Sequence, residues 1–208
     1  MRLSWESVAP WYDAQLWLER SALRVALELA AVSPDSRVLD VGTGTGAVLC
    51  ELARRGDRPG WVLGVDRSDA MLARVPSLPL GWRVQRADAR RLPVADASVD
   101  VAVASFLLHL LSERKRLACL CELRRIVAPG GRVVVVIPGY PQGRVLRVGY
   151  RALLGALAAI GSHLRATLVP VDLAAQITAA GFRVAESGRS RWGYPAICLL
   201  LTPTEAPL

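Results

Sequence analysis

The sequence predicts an α/β fold: a doubly wound, mostly parallel seven-stranded sheet finished by an antiparallel hairpin at one edge. Three observations predict it. Short apolar runs alternate with helix-length stretches along most of the chain. The first run, Arg37–Val41, gives way to glycine at every second position (Gly42, Gly44, Gly46), as a strand does when it turns straight into a helix. The last two runs, 182–187 and 196–202, flank a glycine- and proline-containing stretch, as hairpin strands do.

Composition sets the bounds. A chain of 208 residues with 52% apolar residues and no low-complexity tract is read as one domain, 1–208, with a full core. The basic residues outnumber the acidic ones, 26 to 18, and Lys115 is the only lysine. A net charge of +8 suits nucleic acid or anionic lipid, and equally a protein with neither partner. The longest apolar runs, 101–108 and 152–160, fall well short of the ~20 residues of a spanning helix. The N-terminus lacks the basic-then-apolar layout of a secretory signal, so a cytoplasmic location is expected. Cys50, Cys119, Cys121 and Cys198 sit in apolar context without a Cys-x-x-Cys pair, and read as core thiols rather than metal or redox groups.

Residues 1–31 form a first helical region in which Trp11, Leu16, Leu18, Leu23, Leu27 and Ala30 can share one broad face. Ser33, Pro34 and Asp35 end it. After the first strand and its glycines, residues 47–54 suit a helix. A second strand over 61–65 ends in Asp66, 22 positions beyond Gly44. An acid there is placed to accept from both hydroxyls of a ribose. Ser68 is a candidate N-cap for a helix over 68–73, and the proline-rich 75–81 is a loop. Strand three spans 82–87 and is followed by Asp88 and Ala89. Strand four spans 99–104 and runs into Ser105, Phe106, Leu107, Leu108 and His109. A helix capped by Ser112 continues to Val127, and 132–137 is an unbroken apolar strand. Residues 138–170 run helically with Arg144, Arg147, Arg151 and Arg165 among apolar residues, the first three on one face, and 171–180 is a further helix.

These residues resemble a class I S-adenosylmethionine-dependent methyltransferase of the Rossmann-like type. The Gly-x-Gly-x-Gly turn after Asp40, the acids Asp66 and Asp88, the stretch from Leu92 to Asp100 and the turn Arg125-Ile126-Val127-Ala128-Pro129-Gly130-Gly131 occur in the family's order, with alanine where the family's last turn has lysine. The likeness is to the branch of ubiquinone/menaquinone C-methyltransferases and small phospholipid N-methyltransferases. It implies S-adenosyl-L-methionine as cofactor, S-adenosyl-L-homocysteine as product, and no metal. Gly42, Gly44 and Gly46 would admit the methionine part, and Asp40 would orient the loop or reach its ammonium group. Asp66 would hold the ribose, and Asp88 with the Ala89 N–H the adenine. Thr43, Arg67 and Ser105 complete the expected cofactor set. The resemblance also makes 1–36 a helical lid, through Tyr12-Asp13, and 138–170 a variable substrate cap.

The loop after strand four limits the acceptor. It lacks the Asn/Asp-Pro-Pro-aromatic of enzymes acting on base nitrogens and the acid of metal-dependent catechol enzymes, so nucleic acid is disfavoured as a partner. His109 and Tyr12 are the candidate catalytic residues, His109 as a general base or a positioning group, whereas His163 in an apolar helix reads as structural. Trp5, Trp11, Tyr12, Trp17, Phe106, Leu107 and Tyr140 suggest apolar walls for a small apolar or lipid-like acceptor. The arginine face of 143–165 is either solvated or in peripheral contact with an anionic membrane at the inner face. Two other readings stand beside this one. One is a catalytically silent cofactor-binding scaffold. The other is a nicotinamide-dependent oxidoreductase, which the missing Gly-x-Gly-x-x-Gly turn and the Leu111 four places before Lys115 disfavour.

Overall fold

Val38, Leu39 and Val41 are all closed to solvent, so the strand they form, β1 (Arg37–Val41), is covered on both faces. The computed structural model describes residues 5–160 and 169–204, with side chains from residue 17 onward except those of 153 and 156–160. In chain order the other elements are α1 (Trp5–Ala30) before β1, then α2 (Ala47–Ala53), β2 (Trp61–Asp66), α3 (Asp69–Leu72), β3 (Trp82–Arg86) and β4 (Val99–Ser105). A single 3₁₀ turn, Leu108–Leu110, precedes α4 (Glu113–Ile126), β5 (Val127–Pro138), α5 (Arg144–Ile160), α6 (Ala174–Ala179), β6 (Phe182–Arg189) and β7 (Ala196–Pro203).

The seven strands lie in the order β3-β2-β1-β4-β5-β7-β6. The first five are parallel, and β7 runs antiparallel to both β5 and β6. Alternate residues serve opposite faces. Val38, Val62, Val101, Val103, Val134 and Val136 meet Leu23 and Leu27 of α1 and Val48, Leu49 and Leu52 of α2. Leu39, Val41, Leu63, Val65, Ala102, Val133 and Val135 meet Leu120, Leu123 and Ile126 of α4 and Ile177 of α6. Helices therefore cover both faces, and each buried leucine or valine contributes about 1.5–3 kcal/mol.

The 92–98 segment packs Leu92 and Val94 against the core and is pinned by hydrogen bonds as well. The Arg125 guanidinium donates to Val94 O (3.1 Å), Asp96 Oδ1 (2.5 Å) and Glu122 Oε2 (2.8 Å), and Glu122 Oε1 accepts the Leu92 N–H (2.6 Å).

Several boundaries differ from those the sequence suggests. β5 begins at Val127, five residues early, because the Ala128-Pro129-Gly130-Gly131 turn is absorbed as a bulge between the Val99–Val127 and Val101–Arg132 pairs. Ser112 sits at the N-cap of α4, but its side chain makes no capping bond. α6 is shorter than 171–180, since Asp172 Oδ1 takes the Ala174 N–H (2.9 Å) and starts the helix there. On α1, Leu23, Leu27 and Ala30 are buried as expected, whereas Trp17 and Leu18 are exposed, where the helix meets the loop between β6 and β7. Cys119 and Cys198 are buried, but Cys121 is exposed on the outer side of α4. His163 and Arg165 lie outside the described residues, as do the side chains of Trp5, Trp11 and Tyr12.

Candidate functional site

β1 and β4 are neighbours from which the sheet is built outward in opposite directions, and a cleft opens beyond the carboxyl ends of β1, β2 and β4, where such a fold places its ligands. The glycine turn forms its floor. Val65 O accepts both the Gly42 N–H (2.8 Å) and the Thr43 N–H (2.9 Å), which folds the loop back across the end of β2. Gly42, Gly44 and Gly46 have φ of +76°, +55° and +85°, a region that side chains disfavour. A Cβ on Gly42 would also stand 3.1 Å from the Leu107 side chain.

Two acids close the polar half. Asp66 Oδ2 accepts the Gly44 N–H (3.0 Å) and Oδ1 the Ser68 N–H (2.9 Å). An ionised carboxylate has about four acceptor positions, so each oxygen keeps capacity for a hydroxyl. Asp88 is gripped by its neighbour: Arg90 Nε donates to Oδ1 (2.9 Å) and Nη2 to Oδ2 (2.5 Å), holding the carboxyl down at about pKa 2. Asp40 lies under the loop, fully buried, and neither of its oxygens meets a donor at hydrogen-bonding geometry. Burial pushes its pKa up to about 7, the Thr43 hydroxyl lowering it in part and the Asp66 carboxylate raising it. A buried acid whose oxygens are poorly satisfied, beside a loop that exposes backbone, suits a ligand that brings a cation. The residues present therefore fit the amino-acid and nucleoside parts of S-adenosylmethionine.

The opposite wall is apolar. Phe106 follows β4 with φ +49°, a strained value for a non-glycine residue, while its N–H stays bonded to Val136 O (2.9 Å). That reversal lays Phe106, Leu107, Leu110 and Leu111 along the cleft, with Met71 facing from α3 and Lys115 at the rim. The empty space between these walls, open mouth included, is about 1020 Å³.

Of the residues singled out in the sequence, Gly42, Gly44, Asp66, Arg67, Asp88, Ala89 and Ser105 line this cleft, and Asp40, Thr43 and Gly46 lie beneath or beside it. His109 does not reach the wall. It is buried behind Phe106, the two rings meeting edge-on at 6.3 Å. Trp17 faces outward against Trp192. Tyr12 belongs to α1, with its side chain outside the described residues. Sequence reasoning missed Met71, Leu110 and Leu111 as wall residues, and Arg90 as the partner of Asp88. Only the Asp-x-Arg spacing of the last carried a signal.

The methyltransferase domain model matches residues 38–131, which hold the glycine turn, both cleft acids and the Phe106 wall. The chain is 33% identical over 206 residues to a demethylmenaquinone methyltransferase of Thermus thermophilus, covering 85% of this chain and 90% of the relative. It is 30% identical over 155 residues to a 2-phytyl-1,4-naphtoquinone methyltransferase of Synechococcus elongatus, covering 68% and 65%. A solved S-adenosylmethionine-dependent methyltransferase from Aquifex aeolicus superposes with a TM-score of 0.69 at 20% identity, over 94% of this chain and 97% of that one, which is a likeness of fold. With the cleft geometry and a relative matched over nearly its whole length, the chain belongs to the S-adenosylmethionine-dependent methyltransferases.

Proposed function

We propose that this methyltransferase acts on the ring of a small apolar, quinone-like acceptor, and that it works in peripheral contact with an anionic membrane. One observation carries the acceptor: the wall facing the glycine turn is Phe106, Leu107, Leu110 and Leu111, with no acid, amide or proline pair among them. The relatives named above carry quinone acceptors in their names, in agreement with such a wall.

The cofactor supplies a methyl group already activated on a sulfonium. In this reading Gly42 and Gly44 admit its methionine part, and Asp40 meets the ammonium group. Asp66 takes the ribose hydroxyls with the capacity left on its two oxygens, and Asp88 with the Ala89 N–H holds the adenine. The leucine wall would exclude water and hold a flat ring against the cofactor, so that orientation is set before reaction. His109 acts by backing the Phe106 ring rather than by taking a proton, since Phe106 stands between it and the cleft. The 1–36 and 138–170 segments serve as lid and cap.

The test offers the purified chain methyl-labelled S-adenosylmethionine and, separately, a short-chain demethylated naphthoquinol, phosphatidylethanolamine and single-stranded DNA. Label is expected in the naphthoquinol. Label in the phospholipid or the DNA instead overturns the acceptor.

A further inference from the structure

We infer that the chain docks on an anionic lipid surface through one defined face, made of the first half of α5 and the paired rings of Trp17 and Trp192. This deepens the membrane contact proposed above and rests on that reading. Every residue from Gln142 to Gly149 is exposed, and Val145, Leu146 and Val148 are 84%, 65% and 62% exposed. Of the described α5 side chains, Tyr150 and Leu154, one turn apart, are the ones held inward. Three large aliphatic side chains within four residues gain nothing by standing in water.

Charge selects the occupant. Arg144, Arg147 and Arg151 alternate with those aliphatics, and no aspartate or glutamate occurs between Glu122 and Asp172. Arginine lays its methylenes on an apolar layer while its charge stays at phosphate level, so this mixture fits an acidic headgroup region better than the apolar groove of a protein. The second part is aromatic. Trp17 and Trp192 are both exposed, with ring centroids 5.3 Å apart, and tryptophan favours the boundary between headgroups and acyl chains. The two parts are joined. The Tyr194 N–H donates to Leu18 O (2.9 Å), and Tyr194 shares a side-chain hydrogen bond with Tyr150 of α5. Tyr194 also packs edge-on against Phe106 at 5.5 Å, which sets this face one ring behind the apolar wall of the cleft.

The experiment is cosedimentation of the full chain with vesicles of phosphatidylglycerol and phosphatidylcholine, and with phosphatidylcholine alone. Partition onto the anionic vesicles is expected to be at least about tenfold stronger and to be lost at about 0.5 M salt. Arg144→Gln with Arg147→Gln should weaken it by roughly 10- to 30-fold. Arg151 is left in place because its guanidinium stacks over Tyr140. Trp192→Ala should weaken binding to both vesicle types. S-adenosylmethionine affinity, read by calorimetry, should be unchanged in all these variants, since Arg144, Arg147 and Trp192 do not line the cleft. Equal sedimentation with both vesicles, full binding by the variants, or a stable dimer that hides Val145 and Leu146 overturns the inference. Vesicle binding that is lost in the variants, with no transfer to any quinol, defeats the acceptor reading and leaves the docking face standing.

Discussion

A carboxyl group closed to water, with only weak help from the Thr43 hydroxyl, as Asp40 is, sets the protein against itself. Its pKa is raised from 3.8 to about 7, so between those values the folded chain holds a proton that the unfolded chain has released. Stability from this group therefore falls as the pH climbs from about 4 to about 7, by as much as about 4 kcal/mol. Asp40→Asn keeps the volume and removes the charge. At pH 8 the free variant should unfold about 1–3 kcal/mol harder than the wild type, less than the full amount because a buried amide also lacks partners. The gap should close at pH 5. Calorimetry should show S-adenosylmethionine binding weakened about tenfold or more in the same variant. A lower melting point for the variant at pH 8 would mean that the carboxylate is stabilised as it stands. The acid was readable in the sequence because it sits next to a glycine turn of fixed spacing. The place of His109 was not, because it depends on Phe106 taking a positive φ, which no periodicity reveals.

At the scale of elements, the same gap in legibility recurs wherever a boundary is set by a partner distant in sequence. The start of β5 at Val127 depends on pairing with Val99, and the outward place of Trp17 on its contact with Trp192, near the other end of the chain. The loop between β6 and β7 is such a case. Gly193 has φ +76°, and a Cβ there would stand 2.3 Å from Leu18 O, which accepts the Tyr194 N–H. Tyr194 in turn braces Phe106 at the cleft. Gly193→Ala must therefore push the loop off α1 or strain both, at about 1–3 kcal/mol. A melting point lower by roughly 2–12 °C is expected. Differential scanning fluorimetry showing an unchanged midpoint would place the loop free of α1 in solution.

On the scale of the whole molecule, the central parallel strands were legible because each carries a buried apolar run, whereas β3 at the edge alternates apolar with charged or amide residues. The hairpin of β6 with β7 was legible too, but the pairing of β7 with β5 was not, since nothing in its own residues says which strand lies on its other side. It lies between β5 and β6, and this separates the sheet into two working halves. Gly42, Asp66, Ala89 and Ser105 reach the cleft from the β1, β2, β3 and β4 side, whereas no cleft residue comes from β6 or β7. A ligand in the cleft therefore ties four strand ends together and leaves the hairpin alone. S-adenosylmethionine at about 100 times its Kd should add about 2.7 kcal/mol, or roughly 5–11 °C for a chain of this size. Hydrogen exchange should slow at residues 41–46, 65–68, 87–90 and 105–107, and stay as it was at 182–203. A nicotinamide dinucleotide at the same concentration should give neither effect, because the tight turn at Gly44 and Gly46 lacks the third-glycine spacing that a pyrophosphate needs. Equal stabilisation by the dinucleotide, or protection that appears first in the hairpin, would move the ligand away from the end of β1.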